Sequence, residues 1–361
     1  MRSEPLAALL VRWTMLVAVL SSGCDHSAPY DVPDYGGGPR FGPGGSLDGV
    51  TGPASWTGDG AGILYVGKCL LPETVLGTHP APALIVLPTN GGQAWETCER
   101  DLSLVFSRDS SEMYTAASLA ADGRLLYEES VSPAGGAGFT VFPAFTHTAI
   151  WLTDSGYPST DRKVLELSDD SGGAATIPGD VVNWLLDVRW ASDTSFVGMG
   201  ANLPDRLGVY SPHPIALVRG MIGKYSASMD TIAGTGGARA YSLAEGGRMV
   251  VFARDALTVE RVPIGGGVPS AVATLPGASG RTLADISCNP QICLLVTWET
   301  GPSGGTQSTY WTLSLSTGTV TQLQSVSGTI AAARISPRST AVLIEEGPAW
   351  SVKSGLIPAA R

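Results

Sequence analysis

Four cysteines in the body of the chain, Cys69, Cys98, Cys288 and Cys293, are the residues whose type and spacing most directly suggest chemistry. Thiolates can hold zinc, or thiols can pair as disulfides. A zinc site needs ligands in short paired units, and these four have neither that spacing nor a neighbouring histidine. Cys288 and Cys293 instead flank Asn289, Pro290, Gln291 and Ile292, a turn between two apolar runs, so a bridge across that hairpin is geometrically reasonable. Cys69 and Cys98 then pair by elimination. His26, His79, His147 and His213 are isolated from one another and from acidic clusters, so no metal centre is expected.

Other segments offer chemistry that their surroundings do not support. Gly58 to Gly62 has the glycines of a phosphate loop but no following lysine or helix, and reads as a turn. Asp169-Asp170-Ser171-Gly172-Gly173 lacks the alternating acidic ligands and terminal glutamate of a calcium loop, and reads as a solvated acidic turn. There is no Gly-x-Ser-x-Gly elbow, no His-Glu-x-x-His pair and no cysteine with a plausible histidine partner. Asp59, Asp122, Asp193 and Glu245 lie in turn contexts, where a capping role is expected. Trp151, Trp184, Trp190, Trp298, Trp311 and Trp350 are spread along the chain, as packing residues are, rather than gathered as a sugar-stacking platform. No catalytic residue, cofactor or metal site is assigned. Carboxylates gathered from distant segments are invisible to a linear reading, so a glycan hydrolase or lyase stays open as an alternative.

Composition sets the frame that must position these residues. The chain has 361 residues, of which 15% are charged and 43% hydrophobic, so it can bury a core. A net charge of −10 with only 22 lysines and arginines argues against nucleic acid or an anionic lipid surface as partners. The 46 glycines and 25 prolines suit many tight turns joining short strands.

The N-terminus has the order of an export signal: Arg2 and Arg12, then the apolar run Trp13 to Leu20, then Ser21-Ser22-Gly23-Cys24. The run is too short to span a bilayer. The cysteine after small residues resembles a bacterial lipobox, with Leu20 four residues before Cys24 rather than three and Ser21 where leucine is usual. That resemblance implies cleavage after residue 23 and lipidation of Cys24. Ordinary secretion is the alternative, since Ser21 and Gly23 also suit signal peptidase. Removing Cys24 to a lipid leaves four cysteines, an even set that suits two disulfides in an oxidising envelope. Residues 24–47 are rich in glycine, proline and tyrosine without apolar periodicity, and read as a tether.

Beyond residue 48, runs of four to eight residues rich in Val, Leu, Ile, Thr, Tyr and Trp alternate with turn residues, an all-β pattern. Ser118-Leu-Ala-Ala-Asp-Gly-Arg and Ser242-Leu-Ala-Glu-Gly-Gly-Arg align without a gap, and the segments from Asp285 and Arg334 align with each other. The shared unit is a strand, a turn and an apolar strand, with turn centres near Asp59, Asp122, Asp193, Gly246, Pro290 and Arg338. A further strand in each unit ends at Gly265-Gly266-Gly267 or Thr317-Gly318.

This unit resembles the TolB-like and WD-like propeller repeats of bacterial envelope proteins, most closely at Ile335-Ser-Pro-Arg338 and Leu119 to Arg124; only Asp122-Gly123 keeps the Asp-Gly pair of the repeat. The resemblance implies an all-β propeller of about six, or seven, four-stranded blades over residues 48–361. It also implies a platform for protein contacts or small sites in a central channel, and no reaction. The expectation is therefore a non-catalytic propeller in the cell envelope, lipid-anchored through Cys24 and facing the periplasm or exterior. Its partner is an envelope protein or small ligand. It meets the membrane through the anchor alone and does not bind nucleic acid.

Overall fold

The computed structural model describes residues 40–41, 46–48, 54–71, 79–89, 95–98, 110–120, 122–133, 147–153, 162–168, 175–177, 180–182, 184–202, 213–224, 226–255, 257–277, 280–300, 304–346 and 349–357. The signal segment 1–23, Cys24, His26 and the loop from Asp169 to Gly173 lie outside them.

Apart from one 3-10 turn, Glu245–Gly247, the described elements are strands. β1 (Arg40–Phe41) comes first, within the segment read as a tether, and β2 (Ser46–Asp48) runs across its end. A four-stranded sheet follows, of β3 (Ala54–Trp56), β4 (Gly62–Leu71), β5 (His79–Pro88) and β6 (Trp95–Cys98). The second comprises β7 (Ser110–Leu119), β8 (Leu125–Pro133), β9 (His147–Thr153) and β10 (Arg162–Ser168). β11 (Ala175–Ile177) and β12 (Asp180–Val182) pair as a separate hairpin. The third sheet is β13 (Trp184–Ser192), β14 (Ser195–Asn202), β15 (His213–Ile222) and β16 (Ala227–Thr231). The fourth is β17 (Ala240–Ala244), β18 (Met249–Ala253), β19 (Thr258–Pro263) and β20 (Ser270–Thr274). The fifth is β21 (Thr282–Cys288), β22 (Cys293–Thr300), β23 (Thr306–Leu313) and β24 (Val320–Ser327). Finally β25 (Ile330–Ile335), β26 (Val342–Glu346) and β27 (Ala349–Lys353) join the N-terminal strands in the order β1-β2-β27-β26-β25.

The four-stranded blades therefore number five, not six or seven. The closing sheet is a composite of five strands drawn from both ends of the chain. The long interval between Asp122 and Asp193 adds no blade among the described residues. Its apolar runs are β9 and β10, the outer strands of the second blade, and β11–β12 follows.

The first strand of each sheet touches the first strand of the next, and hydrogen bonds mark every seam. Ser55 Oγ donates to Ala117 O at 3.3 Å, and Ser118 Oγ accepts from Trp190 N at 3.2 Å. The Tyr241 hydroxyl donates to Asp187 O, and Ser242 Oγ accepts from Cys288 N at 2.9 Å. Ser287 Oγ accepts from Ile335 N at 3.0 Å, and Trp56 Nε1 donates to Arg334 O at 2.7 Å, returning to the first blade. The contacts close a ring, so β3, β7, β13, β17, β21 and β25 surround a central bore. The repeated serine of the sequence unit is the hinge of this pattern: Ser118, Ser242 and Ser287 each tie their own inner strand to the next one.

Packing between sheets explains the sparse charge. Side chains alternate faces along a strand, and here both faces are buried against neighbouring sheets. On β4, Ile63 and Tyr65 pack with Leu343 and Trp350 of the closing sheet, while Leu64 packs with Leu125 and Tyr127 of the second blade. On β22, Leu295 faces the fourth blade and Leu294 and Val296 face the closing sheet. A strand covered on both sides reads as a continuous apolar run rather than an alternating one. Trp298 Nε1 donates to Ile330 O across a seam at 2.7 Å, and Trp190, Trp311 and Trp350 also pack in seams, as expected. The side chains of Trp151 and Trp184 lie outside those described.

All six turn centres fall between the first and second strands of a sheet. At the fourth, Gly247 has φ +83° and approaches the third blade so closely that a Cβ there would lie 1.8 Å from Ala191 O. Only glycine fits both demands.

A charged cluster in the bore

Cys288 and Cys293 form the disulfide expected across the β21–β22 hairpin, where the two residues are direct cross-strand partners. Cys69 stands on β4 and Cys98 on β6, on either side of β5, but their side chains are outside those described. The same is true of His79, His147 and His213, at the starts of β5, β9 and β15. Among the described residues no group of three or more His, Cys, Asp or Glu could hold a metal ion.

The turn acids behave largely as caps. Asp59 Oδ1 accepts from Thr57 Oγ1 at 2.6 Å and Ala61 N at 3.0 Å, bonds that hold its carboxyl below the usual range. Gly58 to Gly62 is thus a turn, as its sequence suggested. Asp122 accepts from Arg124 Nε, and Arg124 also reaches Asp193 of the next blade, at 3.4 Å, while its guanidinium lies 5.0 Å from the Trp190 ring centre. Glu245 acts through its backbone: it has φ +52°, and its carbonyl accepts from Arg248 Nε at 3.1 Å.

The ionisable groups that converge are others, on the inner strands. Asp187 and Arg189 come from β13, Asp285 from β21 and Arg334 from β25, with Glu345 on the neighbouring β26. Arg189 grips Asp187 through two bonds, Nε to Oδ1 at 3.1 Å and Nη2 to Oδ2 at 2.5 Å. Its guanidinium also lies 4.9 Å from the centre of the Tyr241 ring. Arg334 reaches the same carboxylate from the closing sheet, at 3.6 Å to Oδ1. In the ring β25 lies three sheets from β13 in either direction, so this ion pair crosses the bore. Asp187 keeps 33% of its side-chain surface exposed and Arg334 21%.

The backbone bends to present Asp187. The register of β13 against β14 shifts between Leu186 and Arg189, and Asp187 takes φ +52° inside this bulge. A left-handed non-glycine residue in a strand costs on the order of 1–2 kcal/mol, which surrounding contacts must offset. Here they are the Tyr241 bond to Asp187 O and the two arginines on its carboxylate.

Two carboxyls of this cluster are driven in opposite directions. Burial pushes Asp187 up, but the charges of Arg189 and Arg334 more than reverse it, leaving its pKa below the ordinary value. Burial also pushes Asp285 up, and there Arg334, Arg189 and the Ala333 N–H only partly offset it, so its pKa stays raised. Glu345 is raised too, by burial and by the charge of Asp285. The Asp285 oxygens are already engaged, Oδ1 with Ile286 N at 2.8 Å and Oδ2 with Ala333 N at 2.9 Å.

None of these five residues stands out by motif. The available signal was a charged residue inside an apolar inner strand, in register with the repeated serine: Asp285-Ile-Ser287 and Arg334-Ile-Ser336 match position for position. A charge in a strand covered on both faces needs a partner or a purpose.

No family model matches the chain, and no curated protein matches it. Solved structures that resemble it include XC5397 from Xanthomonas campestris, a gluconolactonase, at 11% identity and TM-score 0.48, over 87% of this chain and 90% of that one. Oligogalacturonate lyase in complex with manganese is similar at 15% identity and TM-score 0.48, over 81% of this chain and 69% of that one. TolB from Acinetobacter baumannii is similar at 16% identity and TM-score 0.39, over 74% of this chain and 52% of that one.

Proposed function

We propose that this chain is an exported, non-catalytic β-propeller, anchored through lipidated Cys24, that serves as a binding platform for a protein or small ligand in the cell envelope. The observation that carries the non-catalytic reading is how the bore spends its charge: Asp187 is committed to two arginines and Asp285 to two backbone N–H groups. In a paired-carboxylate hydrolase the two carboxyls flank the scissile bond, whereas both oxygens of Asp187 are turned to arginines. Export is supported by the Cys288–Cys293 disulfide, a bond that persists in oxidising compartments. Among the described residues no helix is long and apolar enough to cross a membrane.

Metabolic labelling with palmitate, followed by membrane fractionation, tests the anchor. The wild type should be labelled and membrane-bound, and Cys24→Ala should lose both properties; an unlabelled wild type overturns the anchor. A second reading, a glycan hydrolase or lyase, draws on the convergence of Asp187, Asp285 and Glu345 with pKa values moved apart. It predicts degradation of an envelope polysaccharide that Asp285→Asn abolishes. Degradation with that dependence would replace the non-catalytic reading.

A further inference from the structure

The outer strand of each blade is a sheet edge, and alternate residues along it direct their N–H and C=O groups away from the sheet. Such an edge pairs readily with another chain unless shortness, charge, proline or a bulge blunts it. Four of the five blades are guarded in this way. β6 has four residues, Glu96 among them, and β10 carries Arg162, Lys163 and Glu166. β16 has five residues including Asp230, and β20, also of five, is uncharged but lies between Pro269 and Pro276. β24 differs: it is eight residues long and has neither charge nor proline. No Asp, Glu, Lys or Arg occurs anywhere from residue 300 to residue 333, so β23 and the turns at both ends of β24 are uncharged as well. One bulge interrupts the strand, at Leu323, where its register against β23 slips. Among the described residues β24 ends its sheet, with no strand on its outer edge. Val320, Leu323 and Val326 are only partly buried against the core, and Thr321, Gln322, Gln324, Ser325 and Ser327 are exposed.

We propose that β24 is a self-association surface, pairing antiparallel with β24 of a second copy of this chain about a two-fold axis. Charge selects a second copy as the occupant. The chain carries a net charge of −10, so two copies repel one another over most approaches. Edge to edge at the fifth blade, they meet where neither has a charged residue. A strand laid antiparallel on its own copy is also self-complementary, since each gives and receives the same backbone bonds. The pairing joins two blades into one continuous sheet and covers what remains exposed of Val320, Leu323 and Val326. An extended peptide of another protein is the rival occupant. It would gain the same backbone bonds, but β24 offers no charge by which to select it.

Sedimentation velocity of the purified full chain tests the pairing, with Cys24→Ala as the parent so that lipid-driven association does not enter. The parent should sediment as a dimer that dissociates on dilution. Gln322→Lys combined with Gln324→Lys sets like charges near the strand centre, opposite their own copies, and Gln322→Glu combined with Gln324→Glu does the same with the other sign. Each double variant should lose the dimer and sediment as a species of half the mass, and an equimolar mixture of the two should recover the dimer. Chains that had merely misfolded would not recover it. A parent that is monomeric at every concentration overturns the proposal, as does a lysine variant that stays dimeric or a mixture that stays monomeric. A synthetic peptide of residues 318–329 identifies the rival: a monomeric parent that captures it has an edge for a foreign strand, and self-pairing is wrong.

Discussion

Replacing Asp187 by asparagine keeps the shape of the cross-bore bridge and removes its charge. Two bonds from Arg189 and one ion-pair contact from Arg334 end on this carboxylate. Asparagine offers one acceptor oxygen and turns an NH2 donor to the other arm of Arg189, so one bond loses charge assistance and the other is lost. With hydrogen bonds to charged groups at about 1.5–3 kcal/mol and neutral ones at about 0.5–1.5, the change costs roughly 3–4 kcal/mol. The Arg334 contact is longer, at 3.6 Å, and partly exposed, so solvent screening leaves it with well under about 1 kcal/mol. Asp187→Asn should therefore be destabilised by about 3–4 kcal/mol at pH 7, read as a lower urea midpoint with an unchanged slope. The pH dependence has a definite sign. The folded-state pKa of Asp187 is depressed, so its contribution is present above the unfolded value and is lost as pH falls through the folded one. The gap between wild type and variant should thus close on acidification below the ordinary carboxylate range. Asp285 works in the opposite sense: its raised pKa contributes stability at low pH that is lost as pH rises through the folded value. The charge of Asp187 supplies part of that raise, so the Asp285 contribution is smaller in the variant. Equal stability at pH 7, or a gap that persists unchanged into strong acid, would refute the assignment of Asp187 as the ionised keystone.

Two further perturbations address the frame around the bore. Gly247→Ala combines a left-handed backbone with a Cβ 1.8 Å from Ala191 O, whereas Gly246→Ala meets the first problem alone, with nothing within 4 Å. Gly246→Ala should cost about 1–2 kcal/mol and Gly247→Ala about 1–3 kcal/mol more; equal urea midpoints would mean that the third and fourth blades do not pack this closely. Changing both Cys288 and Cys293 to serine opens a short loop, for which chain entropy predicts a loss of about 2 kcal/mol. The wild type under reducing conditions should match this double variant in thermal unfolding, and a wild type unaffected by reductant would show that the bond adds nothing to stability.

The inner hairpins were legible because they rest on local rules. Asp59, Asp122 and Gly246 mark turns through side-chain caps and positive φ, features that need no distant partner. Blade number was less legible. Apolar runs 147–153 and 162–168 are outer strands of the second blade, and strands buried on two faces lose the alternation that separates inner from outer strands. The closing sheet was hidden for another reason: β2 pairs with β27 at Ser46–Ser351 and Leu47–Trp350, a pairing between the two ends of the chain. The bore cluster was the least legible, since Asp187 and Arg334 meet only when strands three sheets apart face each other.

By itself the amino-acid order determined an all-β chain of repeated strand–turn–strand units, because propensity and turn chemistry are local. It also marked Cys288 and Cys293 as partners, since a tight turn brings its own ends together. Tertiary structure decided what faces the bore. Closing the ring places Arg334 across from Asp187 and moves the pKa values of Asp187 and Asp285 in opposite directions. Those properties depend on distance and burial, which no single strand carries.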